Sequence, residues 1–380
     1  MIAVAKGDHR SRLQLVGFTG VADKIRESSH QTVNQIRDLG VSVKMLTGDS
    51  LPIAKNIAQH IGLGDKISTM PKTNETSLGS AIEDSDGIAE IYPDKYTIVK
   101  TLQSSGHIIG MTGDGINDAP ALKQAEVGIA VANATDIAKD SASAVLTAEG
   151  LGGIVTMIKT GRTIYQRILS WVLSMITWKI HVVGYIVVML FLIHYLTFSI
   201  FSMVLLLFLA DFASMSISTD NVRYSSKPDS LNISWLFKIG LSLGIMNMIE
   251  GVLFTMTLLS YFGLSGSVNR LYTFTFAYLV LTGLFTLMIV RERNLFWKSR
   301  PSTVLIITMV GEILLVIVIS LFGFLELAPL GYETLFGILG YVVFVSFLIN
   351  DPVKVYLIRK LSNTNYNTNY KKTTPTTTRT

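Results

Sequence analysis

Met111-Thr-Gly-Asp-Gly-Ile-Asn-Asp-Ala-Pro-Ala-Leu-Lys-Gln-Ala-Glu126 is the stretch on which the reading of this chain turns. His107-Ile-Ile-Gly-Met111, running into it, is a short apolar run and reads as a buried strand. Thr112-Gly-Asp-Gly115 then turns sharply, with glycines where the backbone must come close to something. Asn117-Asp118 follows, and Ala119 to Glu126 reads as a helix whose N-terminus points back at the turn. Asp114, Asn117 and Asp118 thus converge at the carboxyl end of a strand, where open parallel sheets hold their ligands. Hard oxygen groups at such a place suit Mg²⁺, with Asp114 and Asp118 as its ligands, and Mg²⁺ there suits a phosphate. A bare Gly-Asp-Gly is also a common loop, so the length of the stretch matters more than its centre.

Outward from this stretch the chain changes character. It has 380 residues, too many for one ordinary domain. Hydrophobic residues make up 49% and charged residues only 16%, which fits a protein partly embedded in lipid. Polar and charged residues are scattered up to about residue 160, and long apolar runs dominate beyond it. The expected division is a partial α/β domain over residues 1–150, a helical stalk over 151–167, six spans over 168–350 and a basic, disordered tail over 351–380. The absence of cysteine excludes a disulfide framework and a thiolate metal site. A net charge of +5 is modest, and the basic residues lie between and after apolar segments, which argues against a nucleic-acid partner. The N-terminus is polar and lacks the apolar run of a cleavable signal.

Within the first part, Leu13 to Val21 reads as a strand and Arg26 to Leu39 as a helix, with Val33, Ile36 and Leu39 at helical spacing. Val41 to Leu46 is a second strand, ending in Thr47-Gly-Asp-Ser50. Ile53 to Ile61 is a helix, Gly87 to Tyr92 a strand and Lys95 to Gln103 a helix. Val127 to Val131 and Ala144 to Leu146 are further strands. Strands alternating with helices imply βαβ units and a parallel, Rossmann-type sheet covered on both faces.

The long stretch resembles the hinge signature of the P-type ATPases, and two other motifs match the same family. Met45-Leu-Thr-Gly-Asp-Ser50 is similar to its Thr-Gly-Asp motif, in which the hydroxyl of Thr47 and the backbone of Gly48 and Asp49 hold a phosphoryl oxygen. Ile91-Tyr-Pro-Asp-Lys95-Tyr-Thr-Ile-Val-Lys-Thr-Leu-Gln103 is similar to its lysine motif, although one residue separates Pro93 from Lys95 where the family has two. The ammonium of Lys95 would neutralise the transferred phosphate. Asp23-Lys-Ile-Arg26-Glu27 stands where the family has Asp-Pro-Pro-Arg, which makes Asp23 and Arg26 hinge candidates without the stiffening prolines. The resemblance implies a haloacid-dehalogenase-like domain, ATP as substrate and Mg²⁺ as cofactor.

The family's Asp-Lys-Thr-Gly-Thr motif, which carries the phosphorylated Asp, is not present in the chain, nor is its Thr-Gly-Glu loop. The chain therefore corresponds to the C-terminal half of a pump, whose N-terminal half would be its partner. Nucleophilic catalysis needs its nucleophile, so this polypeptide alone makes no phosphoenzyme. Two other classes stay open: a non-catalytic remnant or membrane subunit of a split pump, and a membrane-anchored phosphatase. The phosphatase needs an Asp-x-Asp nucleophile, and none precedes Thr47.

In the second part, a helix from Thr163 to about Leu192 is too long for one bilayer. Phe198 to Ile217, Phe237 to Phe262, Phe274 to Val290, Val304 to Phe324 and Leu335 to Ile349 complete six spans. Arg223, Lys227 and Lys238 follow the second span, Arg291, Arg293, Lys298 and Arg300 follow the fourth, and Lys354, Arg359 and Lys360 follow the sixth. The intervening links lack Lys and Arg near His194 and Glu326, so the positive-inside rule places both termini in the cytoplasm. Five ionisable residues fall within the spans: Lys179, His181, Asp211, Glu250 and Glu312. His181, Glu250 and Glu312 read as buried structural groups. Phe208-Leu-Ala-Asp-Phe-Ala-Ser-Met-Ser-Ile-Ser218 resembles the sixth membrane helix of the plasma-membrane proton-pump branch. Arg291-Glu-Arg-Asn-Leu-Phe-Trp-Lys-Ser-Arg-Pro301 resembles that branch too. The resemblance implies a plasma-membrane location, Asp211 as the proton carrier and Lys179 as its counter-charge, where that branch has Arg.

Overall fold

The protein is described from a computed structural model, which covers residues 2–7, 13–20, 25–70, 75–91, 94–229, 233–261 and 267–361. Two compact units result: residues 1–159 with 226–228, and residues 160–225 with 229–380.

The first unit begins with an antiparallel ribbon of β1 (Ile2–Lys6) and β2 (Gln14–Thr19). The strand expected over Leu13 to Val21 is thus present, but it pairs with β1 and stands outside the parallel strands. Helix α1 (Ser28–Asp38) follows and buries Val33 and Ile36 along one face. Then strands and helices alternate: β3 (Met45–Leu46), α2 (Leu51–His60), β4 (Ile67–Thr69), α3 (Glu75–Asp84), β5 (Gly87–Ala89) and α4 (Lys95–Ser104). The alternation continues through β6 (Gly110–Gly113), α5 (Ala119–Gln124), β7 (Val127–Ala130), α6 (Asp136–Ser141) and β8 (Ala144–Val145). The parallel strands form two three-stranded sheets, ordered β3-β5-β4 and β6-β7-β8. Leu46 and Ile109 pack into the apolar clusters behind both sheets, one around Met111 and Leu122 and one around Ile88 and Ile98. The sequence expectation of a parallel α/β unit therefore holds. Its strands are shorter than expected, and β6 shows why. The carboxylate of Glu126 accepts the N–H of Ile109 at 2.8 Å, so a side chain stands where a ladder partner was expected.

Among the described residues the second unit holds six helices, the first of which starts within the first unit: α7 (Gly152–Ile193), α8 (Ile200–Ser216), α9 (Ile233–Tyr261), α10 (Val268–Val290), α11 (Thr303–Phe322) and α12 (Tyr332–Val345). With α8 continued to Thr219 and α12 to Leu361, all six are long and apolar enough to cross a membrane. At 42 residues α7 is about 63 Å long, twice the thickness of a hydrocarbon core. Helix α10 is central: 89% of its most apolar window is buried, against 33–39% for the other five. Helices α7 and α9 cross closely at Gly240 and Gly244, where a Cβ would meet Ile176 at 2.5 Å and Ile180 at 2.7 Å. This small-xxx-small spacing lets two backbones approach, as membrane helix pairs require.

Helix α12 runs on through a single π turn (Ser346–Asn350), and the whole span is Tyr332–Leu361. This corrects the expectation that the tail begins at residue 351. Lys354 is fully buried and donates to the carbonyls of Ile289, Glu292 and Asn294 and to Asp351, all within 2.6–2.7 Å. Asp351 in turn accepts from Phe296 N at 3.0 Å. Arg291 is likewise buried and pairs with Asp220 at 2.7 Å. These two cations pin the α10–α11 connection, so they are structural as well as signs of topology. The Thr- and Asn-rich end from residue 362 lies outside the described residues.

Candidate functional site

The strand ends of the first unit converge through short contacts. Thr47 follows β3, and its N–H bonds Ile88 O at 3.0 Å while its carbonyl accepts from Ile91 N at 3.1 Å. Thr47 is therefore held beside the end of β5. Its hydroxyl donates to Asp49 Oδ2 at 2.8 Å and accepts from Asp49 N at 3.1 Å, closing a tight turn through Gly48. Lys95 opens α4, and its Nζ reaches Asp118 Oδ1 at 2.7 Å. That bond brings the segment after β5 to the turn after β6.

Asp118 is 4% exposed and every oxygen of its carboxylate is engaged. Oδ1 takes Lys95, and Oδ2 accepts the N–H groups of Asp114 at 3.1 Å and Gly115 at 3.2 Å. The turn wraps so closely that a Cβ on Gly113 would lie 2.5 Å from that of Asp118. Gly113 is thus required by packing. Between β6 and α5 the chain makes one 3-10 turn (Ile116–Asp118), which leaves the side chains of Asp114 and Asn117 exposed and without a partner among the described residues.

This geometry separates the two carboxylates read together from the sequence. Among the described residues no three His, Asp or Glu side chains gather into a metal cluster. Asp114 fits a Mg²⁺ ion held by one protein carboxylate and completed by phosphate oxygens and water. Asp118 does not fit as a second ligand, because a cation would have to displace Lys95 or two backbone donors. It positions the turn instead.

Arg26 pairs with Glu149 at 2.9 Å, and both side chains are exposed. Asn133 and Arg26 hold the Glu149 carboxyl below its ordinary range. Asp23 lies outside the described residues, as do Tyr92 and Pro93 of the lysine motif. Glu90 was not singled out by sequence. It sits at φ 58, its N–H bonds Asp49 O at 3.0 Å, and its carboxylate caps Leu51 N at 3.1 Å. A left-handed φ on a non-glycine residue costs about 1–3 kcal/mol. Nothing in a strand-ending Ala-Glu pair signals it, since the cap is 39 residues away in sequence.

In the second unit the expected pair of Lys179 and Asp211 is not formed. Helix α8 buries Leu206, Leu209 and Ala213, and Asp211 stands on the opposite face, exposed. Helix α7 buries Trp178, Val182 and Tyr185, and Lys179 lies outside that stripe with Nζ 4.8 Å from the Trp178 ring centre. His181 is fully buried among the rings of Tyr185 and Tyr278, and neither nitrogen has a hydrogen-bond partner. Glu312 is buried with both oxygens unpartnered, whereas Glu250 accepts from Asn350 Nδ2 at 3.1 Å.

Comparison with known proteins meets this geometry. Residues 3–126 match a family model of haloacid dehalogenase-like hydrolases, and residues 95–158 match a second of the same description. A putative cation-transporting ATPase of Methanocaldococcus jannaschii is 34% identical over 361 residues, 92% of this chain and 44% of the relative. That alignment runs through both the strand-end site and the membrane helices. The chain is a homologue of the P-type cation ATPases. The plasma membrane ATPase of Kluyveromyces lactis is 34% identical over 79% of this P-type homologue and 34% of its own length. Plasma membrane ATPase 1 of Saccharomyces cerevisiae is 33% identical over the same shares. The chain thus spans less than half the length of these relatives.

Proposed function

We propose that this P-type homologue supplies the Mg²⁺–phosphate site and the ion-carrying helices of an ATP-driven, proton-exporting pump of the plasma membrane. The observation that carries the reading is Asp114, free and exposed beside a Lys95–Asp118 pair locked at 2.7 Å. Lys95 uses one of its three ammonium protons on Asp118, and the others are available to a phosphoryl group. Thr47 would turn its hydroxyl proton from Asp49 to a phosphoryl oxygen, and Asp114 would hold Mg²⁺. Bound there, the ion would neutralise charge on the transferred group.

Asp211 is proposed as the proton carrier. An ionisable residue within an apolar span is a default candidate for an ion path, and Lys179 is its proposed counter-charge. The two stand apart here, and in this reading a rotation of α7 or α8 joins them. The relatives named plasma membrane ATPase support the location, and the loop charges support cytoplasmic termini. The test is reconstitution with a phosphorylation-competent N-terminal half. Asp114→Ala should abolish Mg²⁺-dependent ATP hydrolysis, and Asp211→Asn should stop proton flux into vesicles while leaving ATP binding intact. Retained hydrolysis in Asp114→Ala would sink the site assignment.

A further inference from the structure

We propose that α9, α10 and α12 enclose a binding site for one monovalent metal cation, distinct from Asp211. Asn247 and Glu250 lie one turn apart on α9, Tyr278 and Thr282 on α10, and Tyr341 and Asn350 on α12. The two amide protons of Asn350 are both committed, to Asn247 Oδ1 at 2.8 Å and Glu250 Oε2 at 3.1 Å. Tyr341 donates to Glu250 O at 3.0 Å, Tyr278 to Asn247 O at 3.3 Å and Thr282 to Tyr278 O at 2.8 Å. These four donors therefore face oxygens that belong to the helices or to one another.

Two acceptors remain. Asn350 is 2% exposed, and its Oδ1 has no hydrogen-bond partner. Glu250 accepts through Oε2, and its Oε1 has no partner among the described residues. Glu250 and Asn350 line a cavity of about 10 Å³, together with Tyr278, Thr282, Tyr341 and Ser346. That is room for the centre of one water-sized sphere. The pocket sets two spare oxygens, one of them a carboxylate's, against one uncommitted hydroxyl, that of Ser346, and this excess of acceptors suits a positively charged occupant.

The charge count sets its valence. Glu250 is the one carboxylate lining the cavity, and the other oxygens are neutral amides and hydroxyls. No ion pair reaches Glu250 among the described residues, since Lys354 commits its ammonium to Asp351 and three carbonyls. One negative charge is matched by a Na⁺- or K⁺-like ion, whereas a divalent ion seeks more carboxylates. The π turn (Ser346–Asn350) adds a second indication. Such turns widen a helix by one residue, and they recur at functional sites. Here the turn presents Asn350 to α9. Asp211 lines no part of this cavity and lies on α8.

The experiment uses the purified full chain in detergent, at fixed pH and ionic strength, and needs neither ATP nor a phosphoenzyme. Choline chloride is replaced stepwise by NaCl or by KCl, and the thermal midpoint is followed by intrinsic fluorescence. The wild type should show a saturable rise with at least one of the two salts. Glu250→Gln should lose it, and Glu312→Gln, outside the cavity, should keep it. If Glu250→Gln does not fold, Thr282→Val serves, with the half-saturating concentration raised several-fold. No saturable rise over choline, or a rise retained in Glu250→Gln or unaltered in Thr282→Val, overturns the proposal. So does a response to pH alone, which would mean that the occupant is a proton.

Discussion

Asp118 decides what its neighbours can do. Because Lys95 and two backbone donors take up its carboxylate, removing the lysine leaves a buried charge without its counter-ion. Breaking a buried pair costs about 3–5 kcal/mol, and partial exposure of Lys95 reduces this to about 2–3 kcal/mol. Lys95→Met should lower the thermal midpoint of the purified chain accordingly. Asp114→Asn should change stability by less than about 0.5 kcal/mol, because its exposed carboxylate holds nothing in the fold. Equal losses from both would show that Asp118 is not the positioning group. Glu126 gives a pH signal. The N–H of Ile109, seconded by Gln103, holds its carboxyl below the ordinary 4.5. A pKa lower in the folded state gives stability that is full above about 4.5 and fades as pH falls through the folded value. Glu126→Gln should therefore flatten the acid side of a stability–pH curve. At this scale the sequence brought the two carboxylates to one turn but could not apportion their contacts. Spacing puts Asp114 and Asp118 on one turn, yet which carboxylate is left free depends on Lys95, 23 residues earlier.

Among elements, the alternating strands and the six apolar runs were legible because periodicity and hydropathy are local properties. The end of α12 was not. Lys354 has the appearance of a tail residue until its ammonium finds carbonyls 60–65 residues away. Lys354→Met should destabilise the chain by about 3–5 kcal/mol, since it strands Asp351 and three carbonyls at once. Protease resistance of the α10–α11 connection in detergent is the convenient measurement, and unchanged cleavage would show that the lysine is dispensable. The α7–α9 crossing was equally hidden. Gly240 and Gly244 are unremarkable in an apolar run, and only the bulk of Ile176 and Ile180 opposite explains them.

For the whole molecule, the lack of native cysteine makes sidedness directly measurable. Single cysteines at Arg223 and Glu326, both on exposed connections, should label from opposite faces of sealed vesicles. An impermeant maleimide should reach Glu326→Cys from outside and Arg223→Cys only after the inner face is opened. Labelling of both from one face would overturn the six-span topology. The central position of α10 bears on how the protein is made. During synthesis α10 enters the bilayer before α11 and α12 exist, so a helix that ends up enclosed must first tolerate lipid. Two of its hydroxyls reach carbonyls of their own helix, Thr273 to Asn269 at 3.0 Å and Thr282 to Tyr278 at 2.8 Å, although Thr273 also donates to Ala328 O at 2.7 Å, in a segment made later. Tyr278 and Thr286 reach outward instead, and both meet Asn247 on α9, the helix translated just before. Part of the polar pairing of α10 can thus form as soon as it is made, whereas the bond from Thr273 to Ala328 waits for the chain beyond α11.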